Sequence, residues 1–236
     1  AGDSGLILKT TNGGESWISQ QTGFSENIIE FFMLDRSFGW GLAHKYPQSQ
    51  DTSTYGTILL RTTDGGTRWT LEASDTTKHL YAVSFIDANT GTVVAPGGTI
   101  LHTTDGGALW TIQTSGTTAW LQGVSFTDAN KGTVVGTGGT ILRTTNGGTT
   151  WTSQSSGTMV DLYDVCFSDA ARGTVVGYGG TILRTTNGGT TWTSQGSGTT
   201  NSLHGVSFAA ADTGTVVGEN GKILRTTNGG AQWTIQ

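Results

Sequence analysis

Thr144-Thr145-Asn146-Gly147-Gly148-Thr149-Thr150-Trp151 is the stretch that decides the fold. It returns, slightly altered, in six places that end at Trp17, Trp69, Trp110, Trp151, Trp192 and Trp233. The last five tryptophans stand 41 residues apart, and the first gap is 52. A fixed period near ~40 residues marks a chain built from one copied unit. In each copy a Thr opens the pattern, Asp or Asn follows two positions later, then Gly-Gly, and Trp closes it. Short Thr and Asx side chains bond nearby backbone groups and close turns. The glycine pair takes positive φ without a Cβ clash. Ile141-Leu142-Arg143 before the turn and Trp151-Thr152-Ser153-Gln154 after it read as strands, so the stretch is a β-hairpin with a shaped turn. The Trp reads as a packing anchor whose truncation costs about 3–5 kcal/mol where it is fully buried.

Working outward, the copy before this box runs Leu121-Gln122-Gly123-Val124-Ser125-Phe126, then Gly132-Thr133-Val134-Val135-Gly136, then Thr140-Ile141-Leu142-Arg143. Four short strands per unit, turn signals every ~8–12 residues and no 3.6-residue period suit a propeller blade rather than a helical repeat. The eight-residue box matches the Asp-box, or BNR, repeat of β-propellers. The wider unit resembles the photosystem II stability/assembly-factor-type propellers, and the resemblance covers essentially the whole chain. It implies a propeller with a role in protein recognition or assembly. Asp boxes also occur in sialidases, sorting receptors and purely structural domains, so the box speaks to fold more than to function.

The expected architecture is all-β, a single propeller domain of four-stranded blades. Residues 1–20 form a half blade, and 28–72, 79–113, 120–154, 161–195 and 202–236 form five full blades, twenty-two strands in all. The chain opens in mid-repeat, since Gly2-Asp3-Ser4-Gly5 aligns with Gly218-Glu219-Asn220-Gly221. The first full blade diverges and carries a polar insertion, His44 to Tyr55, which accounts for the longer first gap. By contrast, 25 of 27 positions agree between Gly132–Thr158 and Gly173–Thr199, as expected of recent duplication.

Composition narrows the function classes. The net charge of −5 argues against general nucleic-acid binding. Gly numbers 38 of 236 and is periodic, so it marks turns rather than disorder. The one cysteine, Cys166, stands where other copies have Ser84, Ser125 and Ser207, and reads as a small buried residue. No signal peptide, lipidation motif or membrane span reads from the sequence. Low charge, abundant Thr and Gly and no cysteine pair suggest a secreted or cell-surface bacterial protein, or a periplasmic one.

Function is sought where the copies differ. In a blade, the second-to-third and fourth-to-first connections share one end, and the boxes share the other with the first-to-second turns. Before the inner strand the copies hold His79, Trp120, Asp161 and Ser202; two residues on come Tyr81, Gln122, Tyr163 and His204. The second-to-third connection holds Pro96, Thr137, Tyr178 and Glu219. His79, Trp120, Tyr163, Tyr178, His204 and Glu219 therefore form a candidate binding face, with neutral drift of exposed loops as the alternative. Lys9, Arg61, Arg143, Arg184 and Arg225 occupy one repeated basic position, with His102 in the remaining copy. They could form an electropositive track, and the resemblance implies an arginine-rich surface at these positions. Alternatively each side chain stretches to the neighbouring blade and bonds turn carbonyls or a carboxylate such as Asp87, Asp128 or Asp169.

Catalysis and cofactors are not expected. Sialidase chemistry needs a non-repeating arginine triad, whereas the non-repeat arginines Arg36, Arg68 and Arg172 sit at turns or beside a box. No carboxylate pair stands out for glycoside cleavage. His44, His79, His102 and His204 lack metal-ligand spacing, and the boxes lack the dense carboxylates of a calcium loop. The expected partner is a protein, through the variable face. The alternatives are a sugar, stacked on Trp120, Tyr163 and Tyr178, and further copies of the chain, paired through open strand edges in an extracellular polymer or surface layer.

Overall fold

Each box closes around its threonine. In the computed structural model, which describes residues 3–12, 15–20, 22–45, 56–73 and 79–236, the Thr144 hydroxyl donates to Asn146 Oδ1 at 3.0 Å. It also accepts the backbone N–H groups of Asn146 at 3.3 Å and Gly148 at 2.9 Å. Asn146 Oδ1 then accepts the Thr150 N–H at 3.0 Å. The same hydroxyl hub recurs at Thr62, Thr103, Thr185 and Thr226, each about 1–2% exposed. Both glycines of the pair have positive φ, +68° and +85° at Gly147 and Gly148.

The hairpins so formed extend into five four-stranded antiparallel sheets and one two-stranded sheet. The fold is an all-β propeller of four-stranded blades. Tertiary contacts divide the chain into two compact units, Ala1–Ala95 with Leu101–Thr111, and Pro96–Ile100 with Ile112–Gln236. The division runs through the second blade, Ala82–Phe85, Gly91–Ala95, Thr99–Thr103 and Thr111–Thr114.

Unit 1 holds the half blade, Ile7–Lys9 and Ile18–Gln20. It also holds the first full blade, Asn27–Met33, Gly39–Lys45, Gly56–Thr62 and Thr70–Ala73. Ile7 packs with Ile28, Ala43, Ile58, Leu60 and Trp69. Trp40 stacks on Phe85 with ring centroids 3.6 Å apart. Most of the insertion, residues 46–55, lies outside the described residues.

Unit 2 holds three blades of the tight copies. Blade 3 is Leu121–Phe126, Gly132–Gly136, Thr140–Thr144 and Thr152–Gln154. Blade 4 is Leu162–Phe167, Gly173–Gly177, Ile182–Thr185 and Thr193–Gln195. Blade 5 is Leu203–Ala210, Thr213–Gly218, Lys222–Thr226 and Thr234–Ile235. Val135 and Ile141 of blade 3 pack on Leu162, Val165, Val175, Leu183 and Trp192 of blade 4. Val176 and Ile182 repeat the contact on blade 5. A blade covered on both faces buries every residue of its second strand, so Gly132–Gly136 and Gly173–Gly177 show no alternation.

The tryptophans are buried to different extents. Trp69 and Trp192 are buried, but Trp110, Trp151 and Trp233 are half-buried, and Trp17 is 57% exposed. The anchor works through an edge: Phe126–Trp151, Phe167–Trp192 and Phe208–Trp233 meet T-shaped at 6.0 Å. Each of these pairs lies within one blade, and Trp192 also packs with Val135 and Ile141 of blade 3.

Candidate binding surface

The two ends of the unit 2 blades use their backbones alike and their side chains differently. At the box end, Gly147 N–H donates to Asn130 O, Gly188 N–H to Ala171 O and Gly229 N–H to Asp212 O, at 2.8–3.0 Å. Asp128 and Asp169 each accept two backbone N–H groups of their own turn, at 2.8–2.9 Å. Those bonds hold both carboxyls below the usual carboxylate range. Arg172 bridges Asp169 at 2.7 Å and Asp212 at 2.9 Å.

The repeated basic residues face box turns. Arg143 Nε donates to Gly188 O at 2.6 Å and Arg184 Nε to Gly229 O at 2.7 Å. In unit 1, Lys9 Nζ donates to Gly65 O at 2.6 Å. Arg61 also lies against the next box turn, at Gly106, but with its head 3.7 Å from Glu72 and over the Trp40 ring. Arg225 is exposed. In the odd copy, His102 bonds Thr92 at 3.2 Å. Within unit 2 a glutamine makes the bond to the next box: Gln113 Nε2 donates to Gly147 O at 2.9 Å, and Gln113 Oε1 accepts the Trp151 indole N–H at 3.1 Å. Sequence reading missed this glutamine, since Gln113, Gln154 and Gln195 share one repeat position and nothing in the sequence sets Gln113 apart; Gln154 and Gln195 bond within their own strands.

At the connection end the tips are pinned. Thr137 N–H donates to Trp120 O, Tyr178 N–H to Asp161 O and Glu219 N–H to Ser202 O, at 2.9–3.0 Å. The Asp161 carboxylate accepts the Gly138 N–H at 2.9 Å, fastening blade 4 to the tip of blade 3. In unit 1, Asn27 accepts the Ser4 N–H in the equivalent bond at 3.0 Å. On this fixed backbone Trp120 and Tyr178 stand 55% and 58% exposed.

Four of the six face residues lie together on blades 4 and 5. Tyr163 stacks on His204 with ring centroids 5.0 Å apart, and His204 Nε2 lies 3.6 Å from Glu219 Oε1. Burial raises the Tyr163 phenol above its usual range, and the charges of Asp161 and Glu219 and the Tyr178 phenol push the same way. Tyr178 thus joins this group. Trp120 belongs to the neighbouring connection, linked through the 137–139 tip to Asp161. His79 lies in unit 1, its ring edge-on to His44 at 4.8 Å.

Below the cluster lies a carboxyl that sequence reading passed over. Asp164 occupies the position of Gly123 and Gly205, at a bulge in the inner strand. It accepts Val165 N–H at 2.7 Å and Val206 N–H at 2.8 Å, yet burial pushes its pKa up to about 7. The available signal was a charged residue where near-identical copies have glycine; Glu30 stands at the same bulge in the first full blade. Cys166 is half-buried, and burial pushes its thiol up to about 11, away from nucleophilic chemistry at neutral pH. Unit 1 has its own concavity of about 720 Å³ along the half blade, lined by Ile7, Leu8, Phe31, Met33 and Trp69. Among the described residues no cluster of His, Cys, Asp and Glu could hold a metal ion.

Fold, box and repeat define the class: a BNR-type β-propeller. The chain resembles the photosystem II assembly factors within that class. The family described as Photosynthesis system II assembly factor YCF48 matches residues 153–236. The chain is 32% identical over 101 residues to photosystem II stability/assembly factor HCF136, chloroplastic, of Arabidopsis thaliana. That match spans 42% of this chain and a quarter of the relative (25%). Among solved structures, YCF48 bound to D1 peptide is similar over 100% of this chain and 76% of its own, at 17% identity and TM-score 0.69. YCF48 from Cyanidioschyzon merolae is similar over 99% and 79%, at 20% identity and TM-score 0.67. A GH74 xyloglucanase from Xanthomonas campestris follows over 88% and 38%, at 12% identity and TM-score 0.64. Those identities carry the fold alone.

The relatives overturn the expectation of a secreted, cell-surface or periplasmic bacterial protein, since HCF136 is a chloroplastic photosystem II factor. The composition behind that expectation has a structural cause. Thr is frequent because its hydroxyl is the hub of the five boxes described throughout, and Gly because each of these boxes has two positive φ angles. Neither reports a compartment.

Proposed function

We infer that the chain is a non-enzymatic, protein-binding assembly module that engages its partner through the connection end of unit 2. The observation that carries this is the exposure of Trp120 and Tyr178, at 55% and 58%, on connections whose backbone is hydrogen-bonded in place. Exposed aromatic rings on a fixed backbone give large contact area at small backbone entropic cost, and such residues dominate binding energy at protein interfaces. Support comes from the assembly-factor relatives and from a structural neighbour solved with a peptide from D1. An extended protein segment is the ligand class this favours. The likeness to GH74 enzymes, at 12–14% identity, supports no glycosidase reading.

The test is binding to short overlapping peptides covering D1, measured for the wild type and for the double variant W120A/Y178A. The reading expects at least one bound peptide and a loss of about tenfold or more in the variant. Binding that the double variant leaves unchanged would remove this face from the account.

A further inference from the structure

The cluster on blades 4 and 5 has a chemistry of its own. Tyr163 stacks on His204, His204 lies 3.6 Å from Glu219, and the Tyr178 N–H donates to Asp161 O, so both acids belong to one cluster, and their charges push the Tyr163 phenol the same way. The aromatic side is the Tyr163–His204 stack and the exposed Tyr178 ring. Glu219 is half-exposed, with its second oxygen accepting the Ser202 N–H at 3.3 Å, so the carboxylate is held rather than freely rotating. Asp161 is likewise held by Gly138. The cation nearest in sequence, Lys222, forms no ion pair with either carboxylate among the described residues. Fixed acids beside tyrosine faces suit a cation that carries an apolar stem, because the head meets carboxylate while the stem and charge lie over the rings.

We propose that this surface takes an arginine or lysine side chain of the protein partner, its charge drawn by the Glu219 and Asp161 carboxylates and its stem lying against the Tyr163–His204 stack and the exposed Tyr178 ring. The inference rests on the connection end of unit 2 being the binding face, and it names the kind of partner residue read there. It predicts that the partner segment is basic and that encounter weakens with salt, as steering between opposite charges does.

The experiment uses a fluorescein-labelled glycine-serine peptide carrying two arginines, with citrulline and glutamate versions as controls. Binding is followed by fluorescence anisotropy on the full chain. The arginine peptide is expected to bind and the other two to bind at least about tenfold more weakly. The D161N/E219Q variant should lose about tenfold or more in affinity. Its fold is protected, because Asn27 already makes the Asp161-type bond in unit 1, and an unchanged melting temperature confirms it. The E15Q/E26Q variant alters net charge equally in unit 1 and should bind like the wild type. An equal loss in both variants would mean bulk attraction and overturn the proposal, as would equal binding of arginine and citrulline peptides. If the arginine peptide fails while W120A/Y178A still abolishes capture of a D1 peptide, the cation site falls and the binding face stands. If both fail, the face falls too.

Discussion

In unit 2 the box turns of blades 3, 4 and 5 repeat one set of threonine-centred hydrogen bonds, whereas the connection ends keep their backbone bonds and change their side chains. At the box end Thr144, Thr185 and Thr226 make the same three hydrogen bonds. At the connection end the pinned residue is Thr137, Tyr178 or Glu219, with the same N–H donated to the start of the inner strand. Side chains inside a bonding network cannot vary without leaving a buried partner unpaired. Side chains that stand outside one can, and there a repeat protein acquires a site that differs from blade to blade. The contrast separates a bonded scaffold from a variable surface within a single copied unit, and the proposed binding face lies on the latter.

The contrast is sharpest at two adjacent glycines of the blade 4 connection. Gly180 has φ +77°, and a Cβ there would overlap the Thr199 carbonyl oxygen. Gly179 has φ +63° with open space around it, and Asn220 holds that position in blade 5 with φ 55°. G180A is expected to destabilise by about 3 kcal/mol or more, and G179A by only about 1 kcal/mol. Equal losses in chemical denaturation would show that backbone strain alone sets both. The next effect belongs to the box. T185V removes the hydroxyl that accepts the buried Gly189 N–H at 3.0 Å and should cost about 2 kcal/mol. A smaller loss follows from R184M, which keeps the aliphatic packing but drops the bond to Gly229 O at 2.7 Å. It should cost about 1–2 kcal/mol in the same assay.

The carboxyls of the two ends should respond oppositely to pH. Asp128 and Asp169 have folded pKa values below 3.8, so their contribution is present above that value and lost as pH falls through the lowered one. Asp164 has a folded value of about 7. It holds a proton that the unfolded chain has released, so its contribution is full below 3.8 and is lost as pH rises through 7. Melting curves from acid to neutral pH should show a falling component that disappears in D164G, the residue found at Gly123 and Gly205. A slope unchanged in D164G would contradict the burial of this carboxyl. The smallest stability effect is expected at the binding surface: Y178A should stay within about 0.5 kcal/mol of the wild type.

Much of the box end was legible because its physics is local. Thr, Asx and Gly-Gly at fixed spacing specify a turn that needs no partner, and the strands beside it carry their own β-branched signal. What depends on neighbouring blades was not legible. Trp17 and Trp192 share a motif, yet one is 57% exposed and the other 9%. Gln113 reaches the next box while Gln154 and Gln195, in the same repeat position, do not. Register placed His79, Trp120, Tyr163, Tyr178, His204 and Glu219 at one end of their blades, but did not show that Tyr163, His204 and Glu219 meet while His79 pairs with His44 in unit 1. Asp164 was not legible either, because a carboxyl in a glycine's place reads as drift until its two backbone donors are seen.

The measurement that tests the central division most directly is binding to the D1 peptide series by three chains: wild type, W120A/Y178A and R143M/R184M. If the connection end binds and the box end supports, W120A/Y178A loses about tenfold or more while R143M/R184M, once shown to be folded, binds as the wild type does. Loss in the folded arginine variant with W120A/Y178A unaffected would contradict the account and move the binding surface to the basic positions.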